Sequence, residues 1–297
     1  MENSDLLYEL LSKKPILKVG GAFDAMSAKL IEINNFDAIW AGSFAISATH
    51  ALPDASILTM TDFLNVSSSI VESCKIPVIA DCDTGFGGPS NVSHTVKKFE
   101  SAGVAAICIE DKTFPKQNSL LKNGSHQLIS EKEFVAKIIA AKEAKINKNF
   151  MIIARTEALI AETGMDDAMT RASAYESAGA DAILIHSKKT TSDEIFEFSK
   201  LWNGNIPLVV VPTTYPTVSI DDLIKNNFKM IIYANQTLRA AYTAMNNVLK
   251  QLDNSKRISD IKQEISSMED IFNLQEMYEI KNQEKIINDN LKKMGYV

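Results

Sequence analysis

Short apolar runs, many of them β-branched, recur along the chain and are separated by amphipathic stretches. Eight of them read as strands: Leu17–Gly21, Ala38–Gly42, Pro77–Asp81, Ala105–Ile109, Met151–Arg155, Ala182–His186, Pro207–Pro212 and Met230–Ala234. Most are continuous rather than alternating. A strand that is apolar on both faces belongs in a parallel sheet covered on both sides. Between the strands, apolar positions recur at helical spacing over Asn91–Ala102, Glu131–Ala144, Asp166–Ala178 and Gln236–Leu252. Two of these helices run into Ser-Ala-Gly, ending at Gly103 and Gly179. Glycine there suits the left-handed residue that closes a helix before the next strand.

Eight βα units predict an α/β protein with a (β/α)8 barrel of the TIM type. The alternative is an open doubly wound sheet, but eight strands are more than most open sheets of this length use. The barrel is expected over residues 1–252 and a polar helical extension over 253–297. The extension carries Ile258, Ile261, Ile265, Met268, Ile271, Phe272 and Leu274. A helical segment with an apolar stripe must bury it, on its own barrel or on another subunit. The sequence does not choose between these.

The 297 residues are 45% apolar and 23% charged, ordinary for a globular protein, with a net charge of −6. That balance, without a basic cluster interleaved with aromatics, argues against a nucleic-acid surface. No apolar run approaches the roughly 20 residues of a membrane span. The first residues are acidic and lack the basic-then-apolar order of a signal peptide. Cys74, Cys82 and Cys108 have no metal-type spacing, and two of them sit inside apolar strand patterns. Reduced thiols and a cytoplasmic setting are therefore expected.

Candidate chemistry gathers where the strands end. Ile79-Ala-Asp-Cys-Asp-Thr-Gly-Phe-Gly-Gly88 is a buried strand running into two acids and a glycine-rich turn. Asp81 and Asp83 are two residues apart, so extended backbone points both to one side. Like charges so placed repel unless a cation lies between them. The next strand ends in Glu110-Asp111. Oxygen-only ligands from neighbouring strand ends suit a hard divalent ion, Mg²⁺ or Mn²⁺. Other strand ends supply Gly42-Ser43-Phe44, Arg155 with Glu157, His186, Pro212-Thr213 and Asn235. The acids lie near the middle of this series and the cations opposite, an arrangement suited to a metal beside a small dianion. Arg155 could instead form a structural ion pair with Glu157, and His186 could be a core histidine. The polar segment Lys112–Gly124 follows the Glu110 strand, as a lid would. It offers Lys116 and Asn118 to an anionic substrate.

The segments Gly21-Ala-Phe-Asp-Ala-Met-Ser-Ala28, Ile39-Trp-Ala-Gly-Ser-Phe44, Asp81-Cys-Asp-Thr-Gly-Phe-Gly87, Glu110-Asp-Lys-Thr-Phe-Pro-Lys-Gln-Asn-Ser-Leu120 and Ile153-Ala-Arg-Thr-Glu-Ala158 resemble the phosphoenolpyruvate mutase/isocitrate lyase superfamily. Asp181-Ala-Ile-Leu-Ile-His-Ser-Lys-Lys189 and Val210-Val-Pro-Thr213 extend the match over nearly the whole chain. The resemblance is strongest to its mutase branch. It implies a (β/α)8 barrel assembled as a homotetramer, a dimer of dimers that swap the eighth helix.

The resemblance also implies that Asp81 binds Mg²⁺, with Asp83 and Glu110 holding it largely through water. Amides at Ser43 and Phe44 would stabilise an enolate oxygen, although Gly42-Ser43-Phe44 stands where Ser-Gly-Leu is common. Arg155 and His186 would hold a phosphoryl group. Asp54 would sit beside the migrating phosphorus, and Lys116, Asn118, Ser119 and Leu120 would close over it. The implied reaction interconverts phosphoenolpyruvate and 3-phosphonopyruvate. A phosphonate-making pathway would then need a phosphonopyruvate decarboxylase as partner.

A lyase of this superfamily would carry a cysteine in the lid, and Lys116-Gln-Asn-Ser-Leu120 has none. Phosphonopyruvate hydrolase is the nearer alternative. By resemblance it commonly has threonine where this chain has Asn118. A catalytically inert barrel used for binding is a further alternative, against which the intact set of polar strand-end residues argues.

Overall fold

In the computed structural model, which describes residues 2–262 and 265–296, all eight expected strands are present. They are β1 (Leu17–Ala22), β2 (Ala38–Ala41), β3 (Val78–Asp81), β4 (Ala106–Glu110), β5 (Met151–Thr156), β6 (Ala182–Ile185), β7 (Leu208–Val210) and β8 (Phe228–Tyr233). Each pairs in parallel with its sequence neighbours, and β1 pairs with β8, so the sheet closes into a barrel. The open-sheet alternative is excluded.

The helices in chain order are α1 (Asn3–Lys13), α2 (Ala25–Ile33), α3 (Ser43–Thr49), α4 (Met60–Ser73), α5 (Pro89–Ser101), α6 (Glu131–Ala144), α7 (Met165–Ala178), α8 (Asp193–Leu201), α9 (Ile220–Lys225), α10 (Gln236–Asn254), α11 (Met268–Leu274) and α12 (Met277–Lys293). Gly103 and Gly179 follow α5 and α7 with φ of +82° and +103°, the left-handed conformation expected of them.

Strand alternation explains why the runs are apolar throughout. Trp40, Ile79, Cys108, Ile153, Leu184 and Val209 belong to one buried cluster, inside the barrel, joined by Leu7 of α1. Ile39, Ala80, Ile107, Ile152, Ile183 and Val210 belong to a second, between the strands and the helices. Side chains of period two must therefore satisfy two apolar layers at once. Cys82 and Cys108 are buried and Cys74 is half-buried, all as free thiols. Among the described residues no helix is long and apolar enough to cross a membrane.

The chain divides into two compact units, residues 1–239 and 240–297. The second unit comprises most of α10, a short turn at Ile258–Asp260, α11 and α12. Gln263, Glu264 and Val297, part of the predicted extension, lie outside the described residues. Tyr242, Met245 and Leu249 of α10 are exposed, as are Ile258, Ile265 and Met268.

Candidate active site

The inward lane of each strand leads into the site. Two residues beyond Ile79, Cys108, Ile153 and Leu184 of the inner cluster stand Asp81, Glu110, Arg155 and His186. The same alternation sends these polar side chains to the mouth of the barrel at the C-terminal ends of the strands. Register sets Glu110 level with Arg155, while Asp81 pairs with Cys108 and Arg155 with Leu184, so Glu110 stands two residues beyond Asp81 and His186 two beyond Arg155.

The acidic half is built around Lys116. Its ammonium lies 2.6 Å from Asp83 Oδ1, 3.0 Å from Asp54 Oδ1 and 3.9 Å from Glu110 Oε1. It also donates to Ser43 Oγ at 3.1 Å. The Ser43 hydroxyl and amide in turn donate to Asp81 Oδ2 at 2.8 and 3.3 Å. Asp81, Asp83, Glu110 and Lys116 are all buried. Asp83 reaches this position from a left-handed backbone, φ +50°, which costs a non-glycine residue about 1 kcal/mol or more.

The cationic half is built around Glu157. Arg155 Nε lies 2.5 Å from Glu157 Oε1 and Lys112 Nζ lies 3.0 Å from Glu157 Oε2. Ser119 Oγ donates to the same carboxylate at 2.5 Å and receives Arg155 Nη2 at 3.0 Å. Arg155 Nη2 also approaches His186 Nδ1 at 2.8 Å. The same Nδ1 lies 3.1 Å from Glu157 Oε1, so this ring nitrogen stands between a guanidinium donor and a carboxylate acceptor. Burial and Arg155 both lower the His186 pKa, which keeps the ring neutral. The two halves meet where Arg155 Nε lies 3.2 Å from Glu110 Oε2.

The lid segment carries three of these groups, Lys112, Lys116 and Ser119. Lys112 and Leu128 form an isolated antiparallel bridge that pins its two ends together. The Lys116 amide donates to Ser56 Oγ at 3.1 Å, and Asn118 Nδ2 donates to Asp54 Oδ2 at 2.8 Å. Asn118 Oδ1 accepts the Leu120 amide at 3.0 Å, which fixes which way the side-chain amide points.

Most predicted site residues are thus brought together: Asp54, Asp81, Asp83, Glu110, Lys116, Asn118 and Ser43 on one side, Ser119, Arg155 and His186 on the other. Phe44 and Leu120 are apolar and make no side-chain hydrogen bond with these groups. They are 43% and 38% exposed, and Leu120 joins the network through its amide, which donates to Asn118 Oδ1. The Arg155–Glu157 ion pair, foreseen as a structural alternative, is present. Glu157 and Lys112 were not counted among the site residues. The period-two lane through Ile153 and Arg155 continues to Glu157, and that was the available signal. Lys112 lies on a lid whose path no periodicity describes.

The charge balance bears on a metal. Five carboxylates, those of Asp54, Asp81, Asp83, Glu110 and Glu157, share this volume with the cations Lys112, Lys116 and Arg155. Two negative charges are left over. Burial, with Asp81, Asp54 and Glu110 adding to it, pushes the Asp83 pKa up to about 7 against the pull of Lys116. Burial raises Asp81 as well. Burial alone would raise Glu157, but Arg155 and Lys112 hold it well below the usual carboxylate range. Asp83 Oδ1, Glu110 Oε1 and Asp54 Oδ1 are buried and form no hydrogen bond among the described residues, although each is ion-paired with Lys116.

Among the described residues no three His, Cys, Asp or Glu side chains form a ready-made metal cage. The gap between the acids is where Lys116 sits. Even so, hard oxygen donors, orphaned carboxylate oxygens and a deficit of two positive charges fit a divalent cation.

Comparison with known proteins agrees with this architecture. The family model described as phosphoenolpyruvate phosphomutase matches residues 7–253. The chain is 41% identical to the phosphonopyruvate hydrolase of Variovorax sp., over 93% of this chain and 95% of that protein. A crystal structure of phosphoenolpyruvate phosphomutase from Streptomyces platensis subsp. rosaceus superposes with a TM-score of 0.93 at 42% identity, covering 95% of this chain and 98% of that one. A phosphonopyruvate hydrolase structure in complex with oxalate and Mg²⁺ superposes with a TM-score of 0.90 at 39% identity, covering 96% of this chain and 99% of that one. The chain therefore belongs to the phosphoenolpyruvate phosphomutase family and is an enzyme of the phosphoenolpyruvate mutase/isocitrate lyase superfamily.

Proposed function

We propose that this enzyme interconverts phosphoenolpyruvate and 3-phosphonopyruvate. The observation that carries the reading is the hydrogen bond from Asn118 to Asp54. It ties the lid to the carboxylate that would stand beside the phosphorus, by the residue type associated with the mutase form.

Asp81, Asp83 and Glu110 would hold Mg²⁺, as their oxygen donors and surplus charge suit it, with Mn²⁺ a possible substitute. When bound, the ion supplies Lewis-acid stabilisation of enolate charge on the pyruvyl oxygens. The chain's own groups do the rest. Arg155, the neutral His186 and the Ser119 hydroxyl would hold the phosphoryl oxygens. Amides at Ser43 and Phe44 would face the enolate oxygen. Asn118 and Lys116 orient Asp54.

In the direction from phosphonopyruvate, the C–P bond breaks and its electron pair stays on the pyruvyl fragment as an enolate. An electron pair on the enolate oxygen then forms the new P–O bond, so no proton is gained or lost. The lid must stay shut between these events, because water would otherwise take the phosphoryl group. Lys112, Lys116 and Ser119 are buried, which supports a lid able to exclude it.

The second reading is a phosphonopyruvate hydrolase, favoured by the 41% identity to that enzyme from Variovorax sp.. The two separate in one experiment, ³¹P NMR of the purified protein with Mg²⁺ and phosphonopyruvate. A phosphoenolpyruvate signal that EDTA abolishes is expected. Inorganic phosphate growing without passing through phosphoenolpyruvate would make the protein the hydrolase. As a mutase, it would need a decarboxylase downstream to draw off phosphonopyruvate. The exposed apolar positions of α10 support assembly with further copies of the chain.

A further inference from the structure

Lys137 breaks the pattern of its helix. The buried stripe of α6 runs Phe134, Lys137, Ile138, Ala141 and Ala144. A lysine thus occupies a position whose spacing calls for an apolar residue. Its side chain is only 7% exposed. No carboxylate lies within ion-pair distance of it among the described residues. Glu133, one turn earlier, is exposed and accepts from the Ser130 amide and hydroxyl. A buried ammonium without an anion is costly. Its one hydrogen bond among the described residues goes to the Thr84 carbonyl, at 2.8 Å.

That carbonyl belongs to the turn carrying Asp83. Three successive carbonyls there are each bound by a different donor. Cys82 O accepts the Gly85 amide at 2.8 Å, and Asp83 O accepts the Glu110 amide at 2.8 Å. Thr84 O accepts Lys137 Nζ. The first two bonds are backbone bonds that any sequence could make. The third needs this side chain. Without it, a carbonyl on a fully buried residue would lack its donor, a strong incentive for the peptide to turn. The amide of that same peptide, on Gly85, donates to Cys82 O, so turning it would break this bond as well and loosen the turn on which the left-handed Asp83 and its carboxylate are set.

We infer that Lys137 is a positioning residue that sets the Asp83 carboxylate for cation binding by holding the Thr84 peptide. The inference rests on the reading of Asp81, Asp83 and Glu110 as a metal site. It assigns no substrate contact to Lys137. Partners that orient metal-binding groups typically change affinity by about 10–100-fold when removed.

The test is Mn²⁺ titration of the metal-free protein, followed by EPR, without substrate. Wild type, Lys137→Met and Lys137→Arg are compared, with circular dichroism as the check on folding. Lys137→Met should bind Mn²⁺ at least about tenfold more weakly, and Lys137→Arg, which keeps a cationic donor, within about threefold of wild type. At saturating Mg²⁺, Lys137→Met should recover most of its kcat, since the defect lies in loading. Equal Mn²⁺ affinity in wild type and folded Lys137→Met overturns the inference and leaves the metal-site reading standing. Absence of Mn²⁺ binding by wild type overturns that reading and the inference with it. Should Lys137→Met not fold, Lys137→Gln takes its place under the same criterion. If neither neutral variant folds, Lys137 serves the fold as a whole and the inference is overturned.

Discussion

Asp54 and Asn118 decide, at the scale of single residues, what this site can do. Asp54 accepts from Asn118 and pairs with Lys116, and the acids proposed for the metal lie beyond that lysine. Asp54→Ala should therefore lower turnover at least about a hundredfold while Mg²⁺ binding and the fold persist. Steady-state kinetics beside metal titration check this, and normal turnover would remove Asp54 from the mechanism. Asn118→Thr puts a shorter hydroxyl side chain in place of the amide that reaches Asp54, so the lid should hold the phosphoryl group less firmly. Products should shift towards pyruvate and phosphate, read as the ³¹P ratio of inorganic phosphate to phosphoenolpyruvate; an unchanged ratio refutes the lid argument. His186 carries a pH signature. Burial depresses its folded pKa below the unfolded value near 6.5, so the unfolded chain takes up the proton first as pH falls. Its contribution to stability is complete above about 6.5 and is lost as pH drops towards the folded pKa. His186→Gln should flatten that decline, measured as the difference in urea midpoint between pH 7.5 and pH 5.5 for the two proteins. Asp81, Glu110, Arg155 and His186 were legible in the sequence because each ends an apolar run. The left-handed φ of Asp83 was not, since no side-chain pattern announces a backbone turn in a non-glycine residue.

Strand alternation gives each element two jobs, and β4 shows both. Glu110 points inward to the site while Asp111, the next residue, points outward to α7. There it accepts Tyr175 OH at 2.6 Å and lies 3.2 Å from Arg171 Nη1. The same carboxylate accepts the Glu157 amide at 2.8 Å, and the Asp111 carbonyl accepts the Ile129 amide at 2.9 Å. One outward aspartate thus joins α7, the residue after β5 and the far end of the lid. Burial pushes its pKa up to about 6, with Tyr175, the Glu157 amide and Arg171 opposing. Tyr175→Phe removes the donor to Asp111 and an acceptor of Arg171 at 3.2 Å. It should cost about 1–3 kcal/mol, measured by urea unfolding, and should raise KM more than it lowers kcat because the lid loses an anchor. A stability loss without any kinetic change would confine the cluster to packing. The sequence displayed the helix that carries Arg171 and Tyr175 and the strand that carries Asp111. It could not display their meeting, because a helix face and a strand end some 60 residues apart share no periodicity.

At the scale of the whole molecule, the barrel stores an electrostatic imbalance that its apolar layers make expensive. Continuous apolar runs gave a barrel legible in outline, with each expected strand found within about two residues of its place. The same two-layer burial that makes those runs readable removes water from the strand ends. Acids placed there must then find cations or protons. Five buried carboxylates against three cations leave a charge that Asp83 can relieve by holding a proton at a pKa of about 7. A divalent cation relieves it better, and anything that binds the folded chain alone stabilises it by mass action. At a hundred times its dissociation constant, Mg²⁺ should add about 2.7 kcal/mol. For a domain of this size that corresponds to a rise in Tm of roughly 5–10 °C. Calorimetry at pH 8, above the value of about 7 to which burial raises Asp83, should show this rise with Mg²⁺ and its reversal by EDTA. Asp81→Ala/Glu110→Ala should show a smaller rise, because the double variant removes both the ligands and the charge that calls for the ion. An unchanged Tm in the wild type at millimolar Mg²⁺ would mean that Lys116 and a retained proton suffice to balance the acids, and that the site is complete without a metal.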